Sequence, residues 1–361
     1  MRTKNALRLR LLALLGLSFS CWCIGWAAPA AAAKPNFVII LADDMGFSDA
    51  GCYGGEIRTP NLDRLAANGL RFTQFYNTAR CWPTRSSLLT GYYAQQIGMD
   101  PPKGPLPAWT RVLPHYLKPL GYRCYHSGKW HLTGAPKPVA DGGFDRSYLF
   151  EDWDRYFSPA QHFEDDHKLP PVKPGSGYYA TTAFADHAIS YLKQHAAEHA
   201  AEPFFLYLAF ISPHFPLHAL PEDIARYRDR YLEGWDSVRE KRWQRLRQMN
   251  LLDCALPPMD PKFIPRYFKP QVMEQLGAGE AEHPVPWESL TDEQKRFQAT
   301  KMALHAAMVD RMDQEIGRVL DQVRAMGAMD NTVIFFLSDN GADATLMVRG
   351  EGHDKSAPLP S

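Results

Sequence analysis

Four apolar runs, each closing on polar residues and separated from the next by stretches of helical spacing, predict an α/β fold. The expected architecture is a mostly parallel central sheet flanked by helices. The runs are residues 36–41, 121–126, 203–210 and 331–337. Most are continuous in β-branched and aromatic residues, the pattern of strands covered on both faces. The groups that close them are Asp43-Asp44, Lys129 with His131, His214, and Asp339-Asn340. In open α/β sheets, ligands sit beyond the carboxyl ends of the strands, so these groups should share one site.

The elements follow in order. The strand at 36–41 ends in Ala42-Asp43-Asp44-Met45-Gly46, and a loop covers 51–55. A helix starts with Thr59 as N-cap and Pro60 in its first turn, and Gly69 closes it. Residues 70–76 have strand character, and the segment Cys81-Trp82-Pro83-Thr84-Arg85-Ser86-Ser87-Leu88-Leu89-Thr90-Gly91 follows. A helix is expected over 110–120, with Pro114 leaving its start open. The strand at 121–126 runs into Gly128-Lys129-Trp130-His131-Leu132. Residues 134–178, rich in Pro, Gly, Asp and aromatics, read as an irregular surface excursion. Helical spacing covers 179–195, with Asp186 and His187 on its surface. The strand at 203–210 leads to Ser212-Pro213-His214-Phe215-Pro216. Residues 221–300, charged and interrupted by prolines, read as a peripheral insertion. One long amphipathic helix spans 297–326 and stops at Gly327, before the strand at 331–337.

The 361 residues carry 40 basic and 40 acidic side chains, which excludes a nucleic-acid footprint or an acidic tail. An apolar content of 45% suits a large core, and the length allows one large α/β domain over 34–361, or one domain with a long insertion. Arg2, Lys4, Arg8 and Arg10, an apolar run over 11–26 and small residues up to Ala33 form a secretory leader. A membrane anchor is the competing reading, but Ser18, Ser20 and Gly25 interrupt a run already short for a span. A secreted or periplasmic location is expected. Outside the leader stand Cys52, Cys81, Cys124 and Cys254, with no CxxC pair among them.

If Asp43, Asp44 and Asp339 converge to about 4 Å, each like-charge pair costs about 4 kcal/mol at an effective dielectric near 20. A divalent cation would remove that cost. With the Asn340 carbonyl the ligands are all oxygen, which selects Ca²⁺, or Mg²⁺, over Zn²⁺. A solvated turn or a helix cap is the alternative role for Asp43-Asp44. Cys81 stands before a helix whose positive end favours an anion, although a buried Cys before an amphipathic helix is also compatible. Arg85, four residues on, shares its face. Arg85, Lys129, His131 and His214 would complete a pocket for a small oxyanion.

Cys81-x-Pro83-x-Arg85 followed by Leu88-Leu89-Thr90-Gly91 resembles the sulfatase signature. With Gly128-Lys129-Trp130-His131-Leu132 and Ser338-Asp339-Asn340-Gly341, the resemblance to the sulfatase branch of the alkaline phosphatase superfamily runs from about Pro35 to Gly341. It implies that a maturation enzyme oxidises Cys81 to formylglycine, whose hydrate is the nucleophile. It implies Asp43, Asp44, Asp339 and Asn340 as metal ligands, with modified Cys81 completing the shell. Lys129 and His214 are then sulfate binders, and His131 is the base acting on formylglycine. The implied substrates are sulfated small molecules or carbohydrates. A phosphonate monoester or phosphodiester hydrolase, or a non-catalytic metal-binding protein recognising sulfated glycans, are the alternatives. The family carries a further sulfate-contacting lysine downstream. Lys355, the only lysine after Asn340, is not assigned that role, and the chain resembles a C-terminally truncated member.

Overall fold

The strands form where the apolar runs lie, because residues buried on both faces have only each other's backbones to bond. The computed structural model describes residues 33–101, 104–260, 262, 270–281, 283–346, 354 and 356–360. Residues 1–32 of the leader expected over 1–33, and Lys355, lie outside these. The strands are β1 (Asn36–Ala42), β2 (Arg123–Gly128), β3 (Arg146–Phe150), β4 (His162–Glu164), β5 (His167–Lys168), β6 (Phe204–Ala209) and β7 (Thr332–Ser338). They make one sheet in the order β5-β4-β3-β2-β6-β1-β7. From β3 to β7 all neighbours are parallel, whereas β4 and β5 add antiparallel.

The helices are α1 (Pro60–Ala67), α2 (Cys81–Thr90), α3 (Leu113–Leu117), α4 (Ala180–Glu198), α5 (Pro221–Ile224), α6 (Trp235–Gln248), α7 (Pro270–Leu276) and α8 (Asp292–Ala325). Alternation along β1 divides the core into two layers. Val38, Ile40 and Ala42 pack with Phe184 and Ala188 of α4 and with Met308 and Ile316 of α8. Ile39 and Leu41 face the other way, towards Leu89 of α2 and Val112, with Phe205 and Tyr207 of β6. Thr291 and Gln294 form a reciprocal capping box that starts α8 five residues before the expected position 297. Gly327, at φ 68°, follows its end, as expected.

Four expectations need correction. Residues 134–178 are not merely an irregular excursion, since they supply β3, β4 and β5. Tyr148, Leu149 and Phe150 are buried, and Asp165-Asp166, both at positive φ, form the two-residue hairpin turn. Residues 70–76 form no strand; Leu70 and Tyr76 are each 85% exposed, and among the described residues no strand bonds the segment. Among the described residues β7 lies at the sheet edge, and Val333 and Phe335 are exposed. Residues 221–300 are tied into the main core through Tyr227, Tyr231, Val238 and Trp287. Asp186 is exposed, as expected, but the half-buried His187 stacks on Tyr148 at 3.8 Å. The four cysteines outside the leader are unpaired.

Helix α1 is capped from outside its own sequence. Thr59 makes no capping bond; its hydroxyl accepts from Gly51 N–H (2.8 Å) and donates to Asp63 (3.1 Å). The orphan N–H groups of Asn61 and Leu62 instead donate to the Asp313 carboxylate of α8 at 3.1 and 2.9 Å. Replacing a capping carboxylate by alanine typically costs about 1–2 kcal/mol. Asp313→Ala should therefore lower stability in urea by about that amount, and an unchanged unfolding midpoint would remove Asp313 as the cap.

Candidate active site

The polar residues that close the central strands are fixed by the sheet itself. Lys129 N–H donates to Ala209 O (2.8 Å), Asp43 N–H to Ser212 O (3.1 Å), and Asp339 N–H to Ala42 O (3.1 Å). The ladder thus continues past the strands and sets three ionisable residues side by side. Gly128 allows the closest of these approaches. Its φ is 117°, and an added Cβ would stand 1.9 Å from the Ala209 carbonyl oxygen. The next turn holds strain, since Asp44 (φ 65°) and His131 (φ 61°) are non-glycine residues in left-handed conformations.

Asp43, Arg85, Lys129 and Asp339 have no solvent exposure. Lys129 Nζ lies 2.5 Å from Asp43 Oδ2. Arg85 bridges the two outer strand ends: Nε and Nη2 reach Asp339 Oδ2 at 3.0 and 2.9 Å, and Nη2 stands 3.5 Å from Asp43 Oδ1. Its Nη1 donates to the Lys129 carbonyl at 3.1 Å. Burial alone would raise the Asp43 pKa, but Lys129, then Arg85 and His214, hold it well below the usual carboxylate range. Asp44 is raised by burial, against the pull of His214. Asp339 is pushed up by burial and by the neighbouring Asp43 charge, which together outweigh Arg85. Burial thus opposes the charge on all three carboxylates, and of the three only Asp43 is held below its usual range.

Cys81 is the first residue of α2, not the residue before it. Arg80 is the N-cap, Pro83 lies third in the helix, and Gly91 (φ 76°) closes it by donating to Ser87 O. This start puts the half-buried thiol within the field of Lys129, Asp43 and Arg85. Burial raises its pKa, with Lys129 opposing.

His214 lies on the loop after β6, between two cis X-Pro bonds. Its Nδ1 is 2.5 Å from Phe215 O, and its Nε2 is 3.7 Å from Asp44 Oδ2. His131 packs against Trp82 at 5.9 Å and Trp153 at 4.4 Å between ring centroids. Asn340 Nδ2 donates to Asp44 Oδ1 at 2.6 Å. Sequence reading missed Trp153, whose ring covers Lys129 Nζ at 4.5 Å, and Asn77, whose amide donates to Asn340 O at 2.6 Å. Neither belongs to a motif, and only the folded path of their loops brings them in.

The donor set fits a divalent cation. Asp43 Oδ1 and Asp44 Oδ2 are buried acceptors without a hydrogen bond, an arrangement that costs about 1–3 kcal/mol per group unless something compensates it. Ligating atoms of Asp43, Asp44 and His214 lie within 4.8 Å of one another. The grouping differs from the all-oxygen expectation, because Arg85 engages Asp339 and an imidazole stands in the third place. A half-turn of the Asn340 amide would present its oxygen where its nitrogen now meets Asp44.

The family model described as Sulfatase matches residues 35–357. The chain is 34% identical over 346 residues to an uncharacterized sulfatase of Schizosaccharomyces pombe, covering 87% of this chain and 59% of that protein. It is 32% identical over 348 residues to an arylsulfatase of Klebsiella aerogenes, covering 88% and 68% respectively. The chain therefore spans about three-fifths to two-thirds of the length of these relatives. A solved structure in complex with its substrate D-glucosamine-2-N,6-O-disulfate superposes with a TM-score of 0.58 at 24% identity, covering 85% of this chain and 66% of that one.

Removing one partner of a buried ion pair typically costs about 3–5 kcal/mol, because the other charge stays behind. Lys129→Met in chelator-treated protein should lose stability on that scale in urea unfolding. A loss below about 1 kcal/mol, the level of an exposed pair, would show that Asp43 does not depend on Lys129.

Proposed function

We propose, from the premise that this chain belongs to the sulfatase family, that it hydrolyses sulfate esters at the carboxyl ends of β1, β2, β6 and β7. The observation that carries the reading is Cys81 on the first turn of α2, in the field of a buried Lys–Asp–Arg–Asp network. The Cys81-Trp82-Pro83-Thr84-Arg85 segment is offered to a maturation enzyme before or during folding, because Arg85 and Pro83 are buried in the finished structure. Residue 81, oxidised to formylglycine and hydrated, then presents two hydroxyls on one carbon, one to attack sulfur and one to release sulfate afterwards. An unmodified thiol has no such second group.

Asp43, Asp44, Asp339 and Asn340 would hold a divalent cation, Ca²⁺ or Mg²⁺, with His214 alongside. Bound there, it would lower the pKa of the attacking hydroxyl and withdraw charge from the sulfate oxygens. The rest falls to the chain's own groups. Lys129, dry and kept in place by Asp43 and the Trp153 ring, is a fixed positive charge for a sulfate oxygen. His214 holds an Nδ1–H on Phe215 O, so in its imidazolium form, with both ring nitrogens protonated, Nε2 would give its proton to the leaving oxygen and leave the neutral Nδ1–H ring. His131, held between Trp82 and Trp153, takes a proton at residue 81 when sulfate is released. The substrate is an aryl sulfate or a sulfated carbohydrate. The leader over 1–33 would export the protein to the periplasm or the exterior.

Two tests follow. The tryptic peptide containing residue 81, from protein made in a host with the maturation activity, should carry an aldehyde, and Cys81→Ala should lower turnover of 4-nitrophenyl sulfate by about 10³-fold or more. Full turnover by Cys81→Ala would remove this nucleophile. The two histidines separate on a series of aryl sulfates. His214→Ala should lose most on poor leaving groups, while His131→Ala should accumulate sulfated enzyme with little dependence on the leaving group. Parallel losses across the series would argue against these distinct roles.

A further inference from the structure

The loop that carries Asp43 and Asp44 is anchored by a second buried network, away from the proposed substrate groups. Asp49 is 4% exposed and lies on the same loop. Its Oδ2 accepts from Gly46 N–H at 2.8 Å and meets His305 Nε2 of α8 at 2.9 Å. Its Oδ1 accepts from Arg242 Nη1 of α6 at 2.6 Å. Arg242 uses its other two nitrogens, Nε and Nη2, as a fork on Glu56, both at 2.7 Å, and Tyr231 O–H donates to Glu56 at 2.8 Å. Arg245 Nη2 stands 3.7 Å from Glu56, and its Nε donates to Gly54 O. The turn leaves no slack around this anchor: a Cβ on Gly46 would stand 2.9 Å from Asp49 Oδ2, and one on Gly55 would stand 2.0 Å from Asp49 O.

We infer that Asp49 is a positioning residue for the Asp43–Asp44 pair, and that Arg242 and His305 hold it in that task. The inference rests on the reading that Asp43 and Asp44 bind a divalent cation. Gly46 is two residues from Asp44, whose left-handed φ of 65° is a strained conformation that persists only where the surroundings impose it. The Asp49–Gly46 bond fixes the far end of that turn, and the β1 ladder fixes the near end. Arg242 comes from the 221–300 segment, so that segment braces the site loop instead of decorating the surface. Asp49 ionises readily for this work: burial opposes it, but His305 and Arg242 hold its pKa well below the usual range.

The test is cation affinity, read by Tb³⁺ luminescence and Ca²⁺ calorimetry on the full chain, with no turnover needed. Outer partners of metal ligands typically contribute about 10–100-fold to affinity. Asp49→Asn should weaken binding by about tenfold or more. Arg242→Lys, which keeps the charge but loses the fork, should weaken it less and guards against an Asp49 variant that fails to fold. Leu192→Ala, a buried position on α4, is the destabilised control and should leave affinity unchanged. If both loop variants bind like the wild type, or lose no more than Leu192→Ala, the positioning role is overturned while the cation site stands. If wild-type protein binds neither ion, the cation reading falls and takes this inference with it.

Discussion

The guanidinium of Arg85 is the contact on which the site depends. It lies between the ends of β1 and β7, pairs with Asp339, approaches Asp43, and bonds the Lys129 carbonyl at the end of β2. Buried carboxylates repel one another and resist burial singly. A planar fork aimed at several strand ends at once lets them share one dry volume. The surrounding geometry serves that contact. Gly128 lets β2 run close against β6, the extended ladder sets each residue in register, and α2 delivers Arg85 on the same face as Cys81. A lysine at position 85 could reach one of these partners but could not bridge them.

Much of this was legible in the sequence, because strands covered on both faces announce themselves as continuous apolar runs. β1, β2 and β6 could be read that way, and so could the convergence of Asp43, Lys129, His214 and Asp339 at their ends. What escaped depended on partners distant in sequence. The strand pattern of Tyr148-Leu149-Phe150 is only three residues long within a Gly- and Asp-rich stretch, so β3 was hidden. Residues 70–76 have the composition of a strand without a neighbour to pair with. β7 has the composition of a central strand and, among the described residues, stands at the edge of the sheet. Thr59 satisfied every local rule for an N-cap, yet Asp313, about 250 residues later, takes the role.

Charge arithmetic links the site's stability to its use. With all groups ionised, Asp43, Asp44 and Asp339 contribute three negative charges and Arg85 and Lys129 two positive ones, a net of one negative. An anionic substrate would be repelled by that site. A divalent cation would reverse the sign to one positive, so an ion that relieved the buried carboxylates would also make the pocket attractive to a sulfate. Protons are the competing remedy. The upward shifts of Asp44 and Asp339 show that, without a cation, burial drives these two carboxylates towards their neutral forms. A cation bound there would compete with protons for the same oxygens. Only the cation leaves the pocket able to concentrate negative charge in a transition state, because a neutral carboxyl removes repulsion but adds no positive field. The Arg85 bridge between Asp339 and Asp43 fixes the spacing of these carboxylates, which is what a cation shared between them would require.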